Sequence, residues 1–323
     1  VIDPIDVRGL ALTWWRTLVG RCVRGERVRP ARGLGRRLHL WPATQILHAG
    51  VMVEGLLGPA DRAAHAAVVD VLTRGLGRYR SGDAWGPRRD ERPRYADDVA
   101  WLGLVMAQIA GARGTPLPAD VHRALEFVRS CEHADGGVRW HEDAGSRHTC
   151  STAPGAHLAL LIHRETGDPE ALAFARRSLT WLDEHLLRPD GLYGDHLGTS
   201  IDDTVWAYNQ GEPAAAHAVL DPARPPRAAI AWLADPDVLW RQPQVFVAIG
   251  VRDLIGLDPS GRLHEAALRH LDRVAREGLA PDGFPRDGGP GRYGDDAAID
   301  LAGLIQVAAA LAAADRRRGN LRP

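Results

Sequence analysis

Three pairs of adjacent aspartates punctuate the chain: Asp97 with Asp98, Asp202 with Asp203, and Asp295 with Asp296. Two carboxyl groups at one place can split a glycosidic bond. One, kept protonated, gives its proton to the leaving oxygen, and the other, ionised, acts as nucleophile or base. Adjacent Cα atoms lie about 3.8 Å apart, and at a helix start the two side chains diverge by roughly 100°. That is enough to reach two sides of one bond. Mutual repulsion would hold one pKa up while amide donors at a helix N-terminus hold the other down. Asp is also a preferred N-cap residue that the helix dipole favours, so each pair taken alone reads first as a cap, and three at equivalent places would line one mouth with acid. Asp97 and Asp98 are the best furnished for chemistry, because Tyr95 and Trp101 flank them with aromatic surface.

Other chemical patterns are weaker. Residues 289–294 spell GxGxxG, without the preceding strand that a dinucleotide site needs. Cys131, His133, His141, His148 and Cys150 crowd one stretch, yet they match no zinc-finger spacing and hold no His pair at i, i+4. Asp295 and Asp296 with Asp300 approximate a diphosphate–Mg²⁺ motif of helical prenyl-transfer enzymes. The usual spacing is broken at Ile299, and DxDD is absent from all three pairs.

The 323 residues carry 40 basic side chains, all Arg, against 41 acidic ones, a net charge of −1. Such a balance leaves no electrostatic footprint for nucleic acid or an anionic membrane. With 45% hydrophobic and 25% charged residues the composition is that of a folded globular chain. The longest uncharged runs, 38–53 and 301–314, fall short of the roughly 18–20 apolar residues of a spanning helix, so no membrane span is expected. Residues 1–29 lack the basic, apolar and small-residue order of a signal peptide. The expected location is cytoplasmic as written, or secreted if an N-terminal segment was removed. Three cysteines without CxxC spacing predict no disulfide framework.

The elements that must position these residues read as helices almost throughout. Long apolar stretches at 38–57, 97–111, 150–166, 203–220, 242–257 and 295–314 alternate with amphipathic ones at 60–76, 118–131, 169–187 and 263–277. Weaker candidates are 8–19 and 227–233. Period-2 alternation is missing, and Gly and Pro cluster in loops at 82–93, 135–145, 189–198 and 281–294. The apolar stretches start at Trp41, Asp97, Cys150, Asp203, Gln242 and Asp295, at intervals of 56, 53, 53, 39 and 53 residues. A helical-hairpin repeat of that size, six times over, predicts an all-α, closed (α/α)6 toroid formed by a single domain, residues 1–323. Its inner helices would begin at one mouth, where long loops bring Trp85, Tyr95, Trp140, Tyr193, Trp240, Phe284 and Tyr293. Ten Trp against four Phe suit the apolar faces and hydroxyl rims of sugars. Candidate sugar contacts are therefore Tyr95, Trp101, Trp140, Asp202 and Asp203.

Residues 95–101, YADDVAW, resemble the Y-x-D-D-x-A-W segment of glycoside hydrolase family 76, the α-1,6-mannanases. Further matches follow in order: LWPATQ at 40–45, DGGVRW at 135–140, TCSTAP at 149–154, ETGD at 165–168, LRPDGL at 187–192, YNQG at 208–211 and QPQVF at 242–246. The resemblance implies a retaining, endo-acting α-1,6-mannanase on an (α/α)6 barrel, with α-1,6-mannan as substrate and no metal or organic cofactor. Asp97 would be the nucleophile and Asp98 the general acid/base, with Tyr208, Asn209 and Gln210 beside the bound mannose. The family also contains fungal wall proteins proposed to be transglycosylases. Two alternatives therefore stay open: another (α/α)6 glycosidase or transglycosylase acting on a different sugar, and a non-catalytic glycan-binding toroid.

Overall fold

The computed structural model describes residues 5–32, 38–294 and 296–319. Asp295, half of the third aspartate pair, lies outside them. Among the described residues the first seven helices are α1 (Val7–Cys22), α2 (Leu40–Glu54), α3 (Pro59–Gly75), α4 (Ala96–Arg113), α5 (Ala119–Ser130), α6 (Thr149–Thr166) and α7 (Pro169–His185). Six more follow: α8 (Tyr208–Leu220), α9 (Arg227–Leu233), α10 (Pro236–Arg241), α11 (Gln244–Leu254), α12 (Arg262–Arg273) and α13 (Ala297–Arg317). Each stretch expected to be helical contains one, and only the short α10 was not anticipated. The chain divides into two compact units. One comprises Val1–Leu38, Gln45–Gly75 and Ile230–Pro323, the other His39–Thr44 and Leu76–Ala229.

In the first unit α13 packs on α1, α11 and α12. A Cβ on Gly303 would lie 2.5 Å from the Gln244 carbonyl oxygen, so only glycine lets α13 approach α11 this closely. Asp296 caps α13 by accepting the N–H of Ala298 at 3.0 Å, the bland role open to any aspartate pair. By length and apolarity α13 could cross a membrane, contrary to the expectation from uncharged runs, because the helix continues past Asp300. Its most apolar window is 94% buried inside the protein, as in a core helix. Polar groups in this unit find one another: Arg252 donates to Gln306 Oε1 at 2.7 Å and lies 3.0 Å from His48 Nδ1.

The second unit is built on two helical hairpins, α4–α5 and α6–α7, with α8 against α6. Gly103 and Gly155 bring these helices together. An added Cβ would meet Leu158 Cδ2 at 2.7 Å in the first case and Val128 Cγ1 at 2.7 Å in the second. The amphipathic α5 turns Val121, Ala124, Leu125, Phe127 and Val128 inward and keeps its charges outside. The loops hold structure that the sequence did not announce. Strands of two residues form β1 (Val23–Arg24) and β2 (Arg27–Val28) in the first unit, and β3 (Arg80–Ser81), β4 (Ala84–Trp85), β5 (Arg147–His148), β6 (His196–Leu197) and β7 (Ile201–Asp202) in the second. The last three make one antiparallel sheet in which His148 pairs with His196 and His196 with Asp202.

Candidate active site

Helix α4 begins at Ala96, and its N-cap residue Tyr95 makes no side-chain capping bond. Asp97 and Asp98 therefore lie inside the first turn, past the cap, and α4 does not use their carboxyls as N-caps. The loop that follows α5 is sewn to this helix start. Ala96 N–H donates to the Trp140 carbonyl at 2.8 Å, Arg94 N–H to Glu142 Oε1 at 3.0 Å, and Glu142 N–H to the Arg94 carbonyl at 3.1 Å. The Arg94 guanidinium, buried, binds Glu142 Oε2 at 2.9 Å and the Ser81 carbonyl at 3.1 Å, and pairs with Asp83. These ties bring Trp140 beside Asp97, where its indole N–H donates to Oδ2 at 3.2 Å. From α6 the Cys150 thiol approaches the same oxygen at 3.8 Å. Asp97 Oδ1 is buried and has no hydrogen-bond partner.

Burial pushes the Asp97 carboxyl up to about 6, against the pull of backbone N–H groups, Trp140 and Cys150, which favour its ionised form. Burial and then the charge of Asp97 raise Asp98 well above the carboxylate range. Of two neighbouring carboxyls, Asp97 thus ionises first and Asp98 keeps its proton longer. Burial and nearby carboxylates also hold Cys150 and Tyr208 in their protonated, donating forms.

A third carboxylate, Asp195 in the loop after α7, bears on the same Cys150 and Tyr208 as Asp97 does. The Asp195 backbone carbonyl accepts Thr149 N–H at 2.9 Å, which anchors it at the start of α6. Its Oδ1 accepts from Asn209 Nδ2 at 3.0 Å and from the Tyr208 hydroxyl at 3.4 Å, and its Oδ2 from His196 Nδ1 at 3.1 Å. Aromatic rings connect the two sides. Tyr95 meets Trp140 edge-on at 5.0 Å, Trp140 stacks on His148 at 5.4 Å, and His148 stacks on His196 at 4.4 Å with planes 6° apart.

The structure therefore brings together Tyr95, Asp97, Trp140, Tyr208 and Asn209. Other expected residues go elsewhere. Trp101 is 2% exposed within the core. Gln210 is buried with its amide holding a loop, accepting Tyr193 N–H and donating to the Tyr193 carbonyl, both at 2.9 Å. Asp202 and Asp203 do not start a helix. Asp202 closes β7, with Oδ1 accepting Thr204 N–H at 2.9 Å, Asp203 is exposed, and α8 begins only at Tyr208. Asp195 and His196 were missed, since a single Asp in a Gly-rich loop, far along the chain from Asp97, carries no spacing signal. The crowd of Cys and His at 131–150 does not converge on one point. Instead His148, Asp195 and His196 place potential ligand atoms within 4.8 Å of one another. Their geometry does not suit an ion, because a metal bonds an imidazole nitrogen in the ring plane and two parallel stacked rings share no such point.

Residues 36–235 match the model of glycosyl hydrolase family 76. A comparison with curated proteins finds no match. Among solved structures, a family 76 glycoside hydrolase (mannosidase) from Bacteroides thetaiotaomicron VPI-5482 aligns with a TM-score of 0.82 at 17% identity, covering 98% of this chain and 100% of that one. An α-1,6-mannanase from Salegentibacter sp. HEL1_6 aligns with a TM-score of 0.79 at 19% identity, over 94% and 98%. An inactive variant of that mannanase, with two consecutive Asp→Asn substitutions and bound α-1,6-mannotriose, aligns with a TM-score of 0.76 at 18% identity, over 95% and 99%. The chain shares the fold of these structures, the all-α (α/α)6 fold expected from its repeat.

Proposed function

We propose that this chain, which belongs to glycosyl hydrolase family 76, is a retaining endo-α-1,6-mannanase with Asp97 as nucleophile and Asp98 as general acid/base. The observation that carries the assignment is the unequal environment of the pair. Asp97 has one oxygen held by Trp140 and Cys150 and the other buried and bare, while Asp98 is driven toward its protonated form. In the first step Asp97 Oδ1 forms a bond to the anomeric carbon as the glycosidic C–O bond breaks, and the leaving oxygen takes the Asp98 proton. In the second, Asp98, now ionised, removes a proton from water. The water oxygen bonds to the anomeric carbon, and Asp97 departs as carboxylate. Tyr95 and Trp140 offer aromatic surface to the sugar. Asp195, oriented by Asn209 and Tyr208, offers a carboxylate to its hydroxyls. The inactive Salegentibacter variant, altered at two consecutive aspartates and carrying α-1,6-mannotriose, supports both the pair and the linkage.

The test is incubation of the purified protein with linear α-1,6-mannan, following reducing ends and product sizes together. Short oligosaccharides released from the start are expected, with none from Asp97→Asn. Absence of release from the folded protein would overturn the substrate assignment.

A further inference from the structure

We infer that His148, stacked between Trp140 and His196, is a positioning residue: it sets the plane of the Trp140 indole and with it the hydrogen bond that Trp140 gives to Asp97. The role rests on the nucleophile assigned above. Trp140 is 39% exposed, so its indole needs more than burial to keep one orientation. Tyr95 and His141 touch it edge-on or tilted, at 5.0 and 5.9 Å between ring centres. Among the described residues, His148 supplies the face-to-face contact to this indole, with planes 25° apart.

His148 is itself fixed on every side. Its backbone N–H donates to the Val138 carbonyl at 3.1 Å, its carbonyl accepts the Thr152 hydroxyl at 2.7 Å, and its Nε2 lies 2.9 Å from Ser146 Oγ. His196 covers the opposite ring face and is tied in turn to Asp195. The charged and titratable groups around His148 are His196, Asp195, Asp202 and His141, with Arg147 its neighbour on β5. Burial, then His196 and His141, push the His148 pKa down to about 3, so the ring under the indole stays neutral at any pH where Asp97 is ionised. The stack thus holds a neutral flat ring between Trp140 and His196. Phenylalanine should therefore replace it, and alanine should not.

The groups that bear on Asp97 are Asp98 on α4, Tyr95 ahead of it, Trp140, Cys150 on α6 and Tyr208 on α8. A lost Trp140 donor destabilises the Asp97 carboxylate and raises its pKa. The experiment is a carboxyl-carbon NMR titration of the full chain with labelled Asp, the Asp97 signal assigned from Asp97→Asn. The Trp140 indole N–H resonance is followed in the same samples, and mannan cleavage is measured alongside. Trp140→Phe and His148→Ala should each raise the Asp97 midpoint by about one pH unit, the size of one hydrogen bond to a charged group. The double variant should move it no further than Trp140→Phe alone. His148→Phe should stay within a few tenths of wild type and keep its turnover, whereas His148→Ala should lose kcat with little change in KM. An unmoved Asp97 midpoint in His148→Ala, an equal shift in His148→Phe, or additive shifts in the double variant would overturn the role. Titration shifts as stated in a protein that cuts no α-1,6-mannan would sink the substrate assignment and leave the positioning intact.

Discussion

A carboxylate that attacks carbon needs one oxygen held still and the other left bare. Asp97 meets both conditions, through the Trp140 and Cys150 donors on Oδ2 and the unpartnered Oδ1. Its neighbour, the same residue type one peptide away, is pushed toward its protonated form by burial and by the Asp97 charge. Kinetics should separate the two. Asp98→Ala removes the proton donor, so cleavage of unactivated mannan should slow by about 10²–10⁴-fold. An aryl mannoside with a good leaving group should form its covalent intermediate at nearly the wild-type rate. Equal slowing of both substrates would place the acid elsewhere. The pH profile of kcat/KM follows from the same pair. Activity rises as Asp97 ionises, with the acid limb centred at about 6 instead of the ordinary aspartate range. It falls at higher pH as Asp98 loses its proton. An acid limb at about 4 would mean that a solvated carboxylate, not Asp97, controls the first step.

Between residue and molecule stand two loops that behave as folded elements. The segment after α5 carries Trp140 and His148, the segment after α7 carries Asp195 and His196, and β5–β6–β7 binds them into one sheet. Gly137 is the tight point of the first loop. A Cβ there would fall 2.6 Å from Trp181 Cε2, in a buried indole that cannot move aside. Gly137→Ala should therefore cost about 1–3 kcal/mol in urea unfolding. Gly145→Ala, in the same loop with nothing within 4 Å of its Cβ position, should change stability by less than about 0.5 kcal/mol. Equal effects would mean that the loop gives way around Trp181. The helices were legible because apolar runs of some fifteen residues recur, four of their five spacings lying at 53 or 56 residues, and YADDVAW lies on one of them. These loops were not, because two-residue strands are too short to show alternation. The same shortness misled the reading of Asp202 and Asp203. An aspartate pair looks like a helix start in sequence, but here Asp202 pairs with His196 in the ladder and α8 starts only at Tyr208.

Across the whole molecule, carboxyls divide by the sign of their coupling to folding. Asp183, Glu142 and Asp135 are held below their ordinary range. They contribute stability above their unfolded pKa and lose it as pH falls through the folded one. Asp97, raised to about 6, Asp98, and Asp300, raised to about 7 by burial, act in the opposite direction. From about pH 4 upward the unfolded chain releases these protons while the folded chain retains them, so stability declines with rising pH until the folded groups ionise. The site thus imposes a cost on the fold that asparagine would remove. Asn cannot ionise, yet it still offers Trp140 an acceptor oxygen. The double variant Asp97→Asn/Asp98→Asn should melt within about 1 °C of wild type at pH 4. By pH 8 it should melt a few degrees higher, corresponding to roughly 1–2 kcal/mol after allowance for the partial solvent access of both side chains. Thermal melts at unit steps between those limits would read the divergence directly. A constant offset at every pH would mean that packing, rather than ionisation, separates the two proteins. A less stable variant at pH 8 would mean that the aspartate pair stabilises the fold it serves.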